Sequence, residues 1–337
     1  GLDNYVQAKP LMENSIRQAG QFGEENPEAF VSILLVAGNL EKDVGQYDSA
    51  LLYFRQAGDI LELTENKDLS LQIDVLTGEA DVLVSQDKLA LAEPLLTLAL
   101  KLGEQAFGQN HRRLTDTLTS LAALELRREN IDKTIAYNLR VIELMEHDSG
   151  TTYDSLLAAK NNLAIAYGGG ERYHEEQRIL SEVINIRREI SGPTGSVELA
   201  IHIKNLASSL HLTGDYDEAL ETLAEADQMI KVHFPPDSPF QALPHFTSAL
   251  IYLDTNRPKI AETESLATLD ILEPVLGEDH FQVQVTRCVL AETYRQQGQI
   301  EKARTLAEPA MKGIMAAGTK TQIYVDRCRD TLAALAD

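Results

Sequence analysis

The chain has no tryptophan, only 6% aromatic residues and just two cysteines, Cys288 and Cys328, among its 337 residues. The cysteines form no CxxC pair, and no HExxH or Cys/His cluster occurs, so the usual zinc signatures are missing. They read as small, buried thiols of a reducing compartment rather than as a disulfide. A cytoplasmic location is expected on that basis. Basic residues are also scarce, 30 against 52 acidic ones, for a net charge of −22. Such a chain repels nucleic acid and anionic membrane surfaces. No apolar run reaches transmembrane length and no signal peptide is visible. There is no GxSxG elbow and no P-loop. The one glycine run, Gly168–Gly170, lacks the Lys-Ser/Thr that a phosphate loop needs, and no strand precedes it. The expectation is a protein that is not an enzyme, with no catalytic residue, no cofactor and no metal.

What is abundant is leucine and alanine within an apolar fraction of 44%, a composition that favours helix. It is also periodic. Steps of 42 from Ala8 reach Ala50, Ala92, Thr134 and Glu176; one extra residue intervenes, and the series resumes at Ala219, Ala261 and Ala303. Three residues before these markers stand Tyr5, Tyr47, Leu89, Ile131, Tyr173, Tyr216, Pro258 and Ile300. Five before, Gly45, Gly214 and Gly298 mark a turn, with Asp87 and Asn256 as weaker turn residues. Seven after come mostly small or β-branched residues such as Ala57, Ala99, Val141 and Ala226. Leu-Ala pairs precede the markers by thirteen and twelve at Leu121-Ala122, Leu163-Ala164, Leu206-Ala207 and Leu290-Ala291.

These offsets describe a pair of helices. The first carries Leu-Ala and ends at the turn; the second begins near the aromatic column. Small residues let the two approach, and each pair has an apolar face that only a neighbouring pair can bury. The expected fold is all-α, a solenoid of antiparallel helix pairs over residues 1–337. A lone second helix fills 1–20, seven hairpins run over about 27–317, and a capping helix closes the stack at about 320–335. Second helices are expected to start near 46, 88, 130, 172, 215, 257 and 299. The half-repeat at the start reads as cut rather than capped, which implies a larger protein. Pro10 and Pro94 are expected in the first turn of second helices, where a missing N–H costs little. Pro27 and Pro258 are expected in connections, and Pro309 inside a helix. Gly168–Gly170 reads as a helix C-cap, with a hinge as the alternative.

The pattern resembles the tetratricopeptide repeat, specifically the 42-residue type of kinesin light chains. "LGEDHFQVQVTRCVLAETYRQQGQIEKARTLAEPAM" (276–311) carries the resemblance most fully, and "HLTGDYDEAL" (211–220) and "VGQYDSALLYF" (44–54) match its turn. His111 in "GQNH" and His280 in "GEDH" resemble its loop histidine and are expected to make structural loop contacts. The resemblance implies a right-handed superhelix whose first helices line a concave groove, with groove residues 18, 15, 11, 8 and 7 before each marker. It places Thr119, Asn161, Lys204, Ser208, His211, Phe246 and Leu250 there. Asn161 stands in "NNLAIAY", where the family carries its groove asparagine; an amide both donates and accepts, as an extended peptide backbone requires. Lys204 adds a cation suited to an acidic side chain or a carboxy-terminus. Phe246 and Leu250 make the sixth inner face apolar, to hold a partner's side chain or to pack an internal segment.

The implied function is a non-catalytic scaffold that binds a protein or extended peptide in the groove. Two alternatives stand beside it: a regulatory or sensor region of a larger signalling enzyme, such as a bacterial serine/threonine kinase or a CHAT-type protease, and a receptor for a small peptide signal. The expected partners exclude nucleic acid and membrane and include a fused catalytic or signalling domain.

Overall fold

The computed structural model describes residues 2–21, 23, 25–64, 68–148, 150, 152–316 and 322–336. Among these it has sixteen α-helices, three short 3-10 turns and no strand. The chain divides into two compact units, Gly1–Glu171 and Arg172–Asp337.

Unit 1 opens with α1 (Leu2–Gln21). Two hairpins follow, α2 (Pro27–Asp43) with α3 (Tyr47–Leu63) and α4 (Leu69–Ser85) with α5 (Leu89–Phe107). The unit ends with α6 (Thr115–Arg127), α7 (Ile131–Glu146) and α8 (Tyr153–Gly169). Unit 2 begins with α9 (Tyr173–Ser191). Then come α10 (Val197–Thr213) with α11 (Tyr216–His233), α12 (Ala242–Asp254) with α13 (Pro258–Leu276), α14 (Phe281–Gln296) with α15 (Ile300–Ala316), and α16 (Gln322–Ala336). The expected first residue of every second helix is thus met to within one position. The limits expected near 317 and 320 lie outside the described residues.

The turn within each hairpin repeats one geometry. The residue five before the marker is left-handed in all seven: Gly45, Asp87, Glu129, Glu171, Gly214, Asn256 and Gly298, with φ between 57° and 87°. The next amide then reaches back five residues. Gln46 N–H donates to the Glu41 carbonyl at 2.8 Å, Lys88 to Leu83 at 2.8 Å, Asn130 to Glu125 at 2.9 Å, and Asp215, Arg257 and Gln299 do the same in unit 2. This is the Schellman closure, which satisfies helix carbonyls otherwise left without partners. Two of the seven left-handed residues, Glu129 and Glu171, carry no turn signature.

Packing follows the marker column. Ala50, Ala92, Ala219, Ala261 and Ala303 are completely buried, as are Ala57, Ala99, Ala226 and Ala310 seven residues on. Large side chains fill the space beside small ones. Phe54 is completely buried against Gly38 of α2 and Gly78 of α4. A Cβ added at Gly78 would stand 2.4 Å from its ring, so the close approach itself demands glycine there.

The prolines need correction. Pro94 is the sixth residue of α5 and Pro10 lies deeper still in α1, beyond the first turn, so each removes an intrahelical bond. Pro27 and Pro258 are the first residues of α2 and α13 rather than parts of connections. Their rigid φ suits that position and no bond is lost. Pro309 lies inside α15 as expected. Gly170 caps α8, its amide donating to the Ala166 carbonyl at 3.1 Å, and it lies close under Ile131 of α7.

Candidate functional site

Unit 2 contains a cavity of about 580 Å3 on the side lined by its first helices. Helical spacing sets its walls. Lys204, Ser208 and His211 recur on one face of α10, and Phe246, Leu250 and Asp254 on one face of α12. Helix α14 adds Phe281 and Val285, and α16 adds Tyr324 and Arg327. Phe240, in the 3-10 turn before α12, stacks on Phe234 with ring centroids 4.3 Å apart and forms part of the rim.

One carboxylate organises the polar end. Asp254 Oδ2 lies 2.8 Å from His211 Nε2, and the Arg327 guanidinium donates to both Asp254 oxygens at 3.0 Å. Burial works against the Asp254 charge, but these hydrogen bonds and the Arg327 charge outweigh it and hold the carboxyl below its ordinary range. His211 is itself buried, so its ring is committed to the wall rather than free for a partner.

Helix α16 is fastened to this wall by three kinds of contact. Cys288 of α14 and Cys328 of α16 form a disulfide, with Cα atoms 5.6 Å apart, which corrects the expectation of two thiols. Their helices bring them face to face in an apolar cluster with Val285, Ala310, Ile314 and Val325. Tyr324 meets Phe246 edge-on at 5.8 Å and packs on the cluster containing Leu250, and burial pushes its hydroxyl pKa up. Thr331 donates to Glu292 of α14 at 3.1 Å. Of the two uses open to Phe246 and Leu250, packing an internal segment is therefore realised, and both still line the cavity.

Lys204 is the cation that this wall leaves without a matching anion. Its Nζ donates to the Asn205 side-chain oxygen at 3.2 Å. Burial lowers its pKa, against the pull of Glu176. Glu176 is itself pushed up by burial and accepts from Ser209 at 2.8 Å.

Five of the seven expected groove residues, Lys204, Ser208, His211, Phe246 and Leu250, therefore come together around one cavity. Thr119 and Asn161 belong to unit 1. The Thr119 hydroxyl donates to the Thr115 carbonyl of its own helix at 2.8 Å, and Asn161 is partly exposed on α8. Other groove residues of unit 1 are already bonded: Lys42 pairs with Asp81 at 3.1 Å, and the Thr77 hydroxyl meets that of Thr117, a residue outside the groove columns, at 2.9 Å. Sequence reasoning missed Tyr324 and Arg327, which lie in a helix read only as a cap. It also passed over Asp254, although that residue stands seven before Ala261, a groove offset. His111 and His280 make the expected loop contacts: each Nδ1 accepts an amide two residues on, at 3.2 and 3.3 Å. Among the described residues no helix is long and apolar enough to cross a membrane.

The fold and this site define an all-α solenoid of antiparallel helix pairs with a cavity on its first-helix side. The pairs match tetratricopeptide repeats over part of the chain. Tetratricopeptide-repeat family models match residues 156–195, 205–225 and 284–309. No curated protein matches in sequence. Among solved structures, the chain is similar to a signal-transduction ATPase with numerous domains from Pyrococcus horikoshii, a protein with a tetratricopeptide repeat sensor. The TM-score is 0.67 at 13% identity, over 95% of this chain and 50% of that one. It is similar to a Rap protein complexed with competence and sporulation factor, with a TM-score of 0.62 at 16% identity over 90% and 81%. A putative kinesin light chain with nearly identical TPR-like repeats from Podosopora anserina gives a TM-score of 0.50 at 19% identity, over 61% and 96%. At these identities the likeness is one of fold.

Proposed function

We propose that the chain is a non-catalytic scaffold that binds a protein or extended peptide on its first-helix face. Lys204, Ser208, Phe246 and Leu250 form the centre of that surface in unit 2, with His211 held in its wall by Asp254, and Thr119 and Asn161 are the proposed contacts of unit 1. On this reading residues 1–337 act as one solenoid. The observation that carries it is the cavity: a concave, aromatic-lined space with a few polar groups is what a binding site of this size needs. The expected cytoplasmic location rested on two reduced cysteines. With Cys288 and Cys328 joined that support is gone, and trapping of free thiols in intact cells is the measurement that fixes the compartment.

The test is capture of a partner by the full-length protein, repeated with Asn161→Ala plus Lys204→Glu. A control pair, Glu221→Ala with Arg178→Glu, changes exposed positions on the second helices α11 and α9. The groove pair is expected to lose the partner and the control pair to keep it. The opposite result places the binding surface elsewhere.

The sensor readings use the same cavity. What favours them is likeness of fold, over 90% or more of this chain, to a Rap protein in complex with a signalling factor and to a larger ATPase with a repeat sensor. In a fusion of that kind, with a kinase, protease or ATPase region outside these residues, ligand binding in unit 2 would be the input. A short peptide library that raises the unfolding midpoint of the isolated chain supports a sensor; a large protein captured without any such peptide supports the scaffold.

A further inference from the structure

We propose that the unit 2 cavity takes a ligand ending in an aromatic or bulky apolar group with one free carboxylate. The carboxylate sits on Lys204 and Ser208, and the apolar group among Phe246, Phe281 and Tyr324. The proposal rests on the binding reading above and adds the chemistry of what is bound.

Charge in the wall fixes the anion. The charged side chains lining the cavity are Lys204, Arg327 and Asp254. Arg327 spends its fork on Asp254 through two 3.0 Å bonds, so these two cancel. Lys204 is left over, in a protein of net charge −22. Its ammonium has three donors, and its one side-chain hydrogen bond, 3.2 Å long, goes to a neutral amide. A cation held this way in a largely apolar site gains most from an anion that enters with the ligand. Glu176 pulls on Lys204 only through space: it forms no ion pair with the ammonium and does not line the cavity.

The number of negative charges follows. One unmatched cation balances one, and the wall offers no second free cation for a phosphate dianion. Ser208 lies one helical turn beyond Lys204 on the same face of α10, so a hydroxyl and an ammonium are available for the two oxygens of a carboxylate. The rest of the wall sets the body of the ligand. Phe246, Phe281 and Tyr324 offer ring faces and edges that suit another ring. The Tyr324 wall stays in place because Cys328 ties its helix to α14. A free aromatic acid and the carboxy-terminal residue of a peptide share this chemistry.

The probes are N-acetylphenylalanine, its amide, and a ten-residue peptide ending in phenylalanine with either a free or an amidated terminus. Binding to the full chain is measured by isothermal titration calorimetry. The acid is expected to bind about tenfold or more tighter than the amide, the scale of one charged hydrogen bond. Lys204→Met should remove that preference, so that the acid and the amide bind equally. Phe281→Ala should weaken acid and amide alike. Circular dichroism melts confirm that both variants are folded. A free-terminus peptide that binds tighter than the small acid identifies a chain end as the ligand; equal affinity identifies the small acid. The proposal is overturned if acid and amide bind equally, if neither binds, or if Lys204→Met keeps the preference. A chain that ignores these probes yet loses its captured partner on the groove substitutions keeps the scaffold reading and rejects this ligand chemistry.

Discussion

Arg327 of α16 grips Asp254 of α12 through two hydrogen bonds of 3.0 Å, across 73 residues of sequence. Each side chain keeps about a quarter of its surface in water, so the pair's contribution is modest despite good geometry. Arg327→Ala is expected to cost about 1 kcal/mol of stability. Its signature is local: amide hydrogen exchange should rise in α16 and stay unchanged in α2 to α5. Uniform exchange in α16 would mean that this pair does not hold the helix.

The disulfide is the stronger tether. Cys288 and Cys328 are 40 residues apart and completely shielded from water. Closing a loop of that size stabilises by about 2–4 kcal/mol, mostly through the unfolded chain. Cys328→Ser should therefore lower the urea midpoint. A dithiol reductant should lower the midpoint of the original protein to a similar value and leave the variant unmoved. Equal midpoints for all four samples would show that the bond adds nothing.

The repeat was legible because its markers must be small to let helices touch, and that need is written in the sequence at Ala50, Ala92, Ala219, Ala261 and Ala303. The site was legible by half. Lys204, Ser208, Phe246 and Leu250 share a wall because their columns follow the same period. Tyr324 and Arg327 were not legible: "RDTLAALAD" reads as a cap with one wet face, and no local pattern says that the turn before it faces α12. The disulfide was hidden for a similar reason, since each cysteine sits alone in a helical stretch and only tertiary packing joins them. The commitment of His211 to Asp254 likewise depends on the neighbouring repeat.

Glu129 exposes a second limit of the pattern and gives a third prediction. It occupies the left-handed turn position at φ 60°, where its Cβ is crowded by the backbone. Its side chain is exposed. Glu129→Gly should relieve roughly 1 kcal/mol of strain, less the extra entropy glycine gives the unfolded chain. A slightly higher or equal melting temperature is expected. Glycine placed instead at Glu143, inside α7, should destabilise by about 1 kcal/mol. A substantial loss at Glu129 would show that the left-handed geometry is not what the turn requires.

His202 on α10 supplies the pH dependence. It is 8% exposed, and its Nδ1 has no hydrogen-bond partner. Burial first, and the Arg187 charge of α9 second, lower its pKa from 6.5, while Glu198 on its own helix pulls the other way. Below pH 6.5 the unfolded chain takes up a proton that the folded chain refuses, so stability falls as pH drops from there toward the folded value. Below the folded value this contribution is constant. His202→Phe should flatten that part of the stability profile, measured by urea melts at half-unit steps. An unchanged slope would assign the dependence to other groups.

Ala219 tests the register itself. It is completely buried where α11 meets α10 and α12, in a cluster with Ala207, Leu210, Leu223 and Ile251. Close packing leaves a larger side chain no room, so it must push helices apart or take a strained rotamer. Ala219→Phe should cost roughly 1–3 kcal/mol or more. Phenylalanine at Glu221, two residues on and facing water, should change stability by less than about 0.5 kcal/mol. Ala303, the equivalent marker between α14 and α15, lies against Ala291, Ala307 and Leu335 and should respond as Ala219 does. The distinction is sharp because every third or fourth residue of α11 faces inward, and a register wrong by two would exchange the two outcomes. If the Glu221 variant melts early while the Ala219 variant does not, the small-residue column is misplaced, and with it the assignment of Lys204, Ser208 and Phe246 to the inner face.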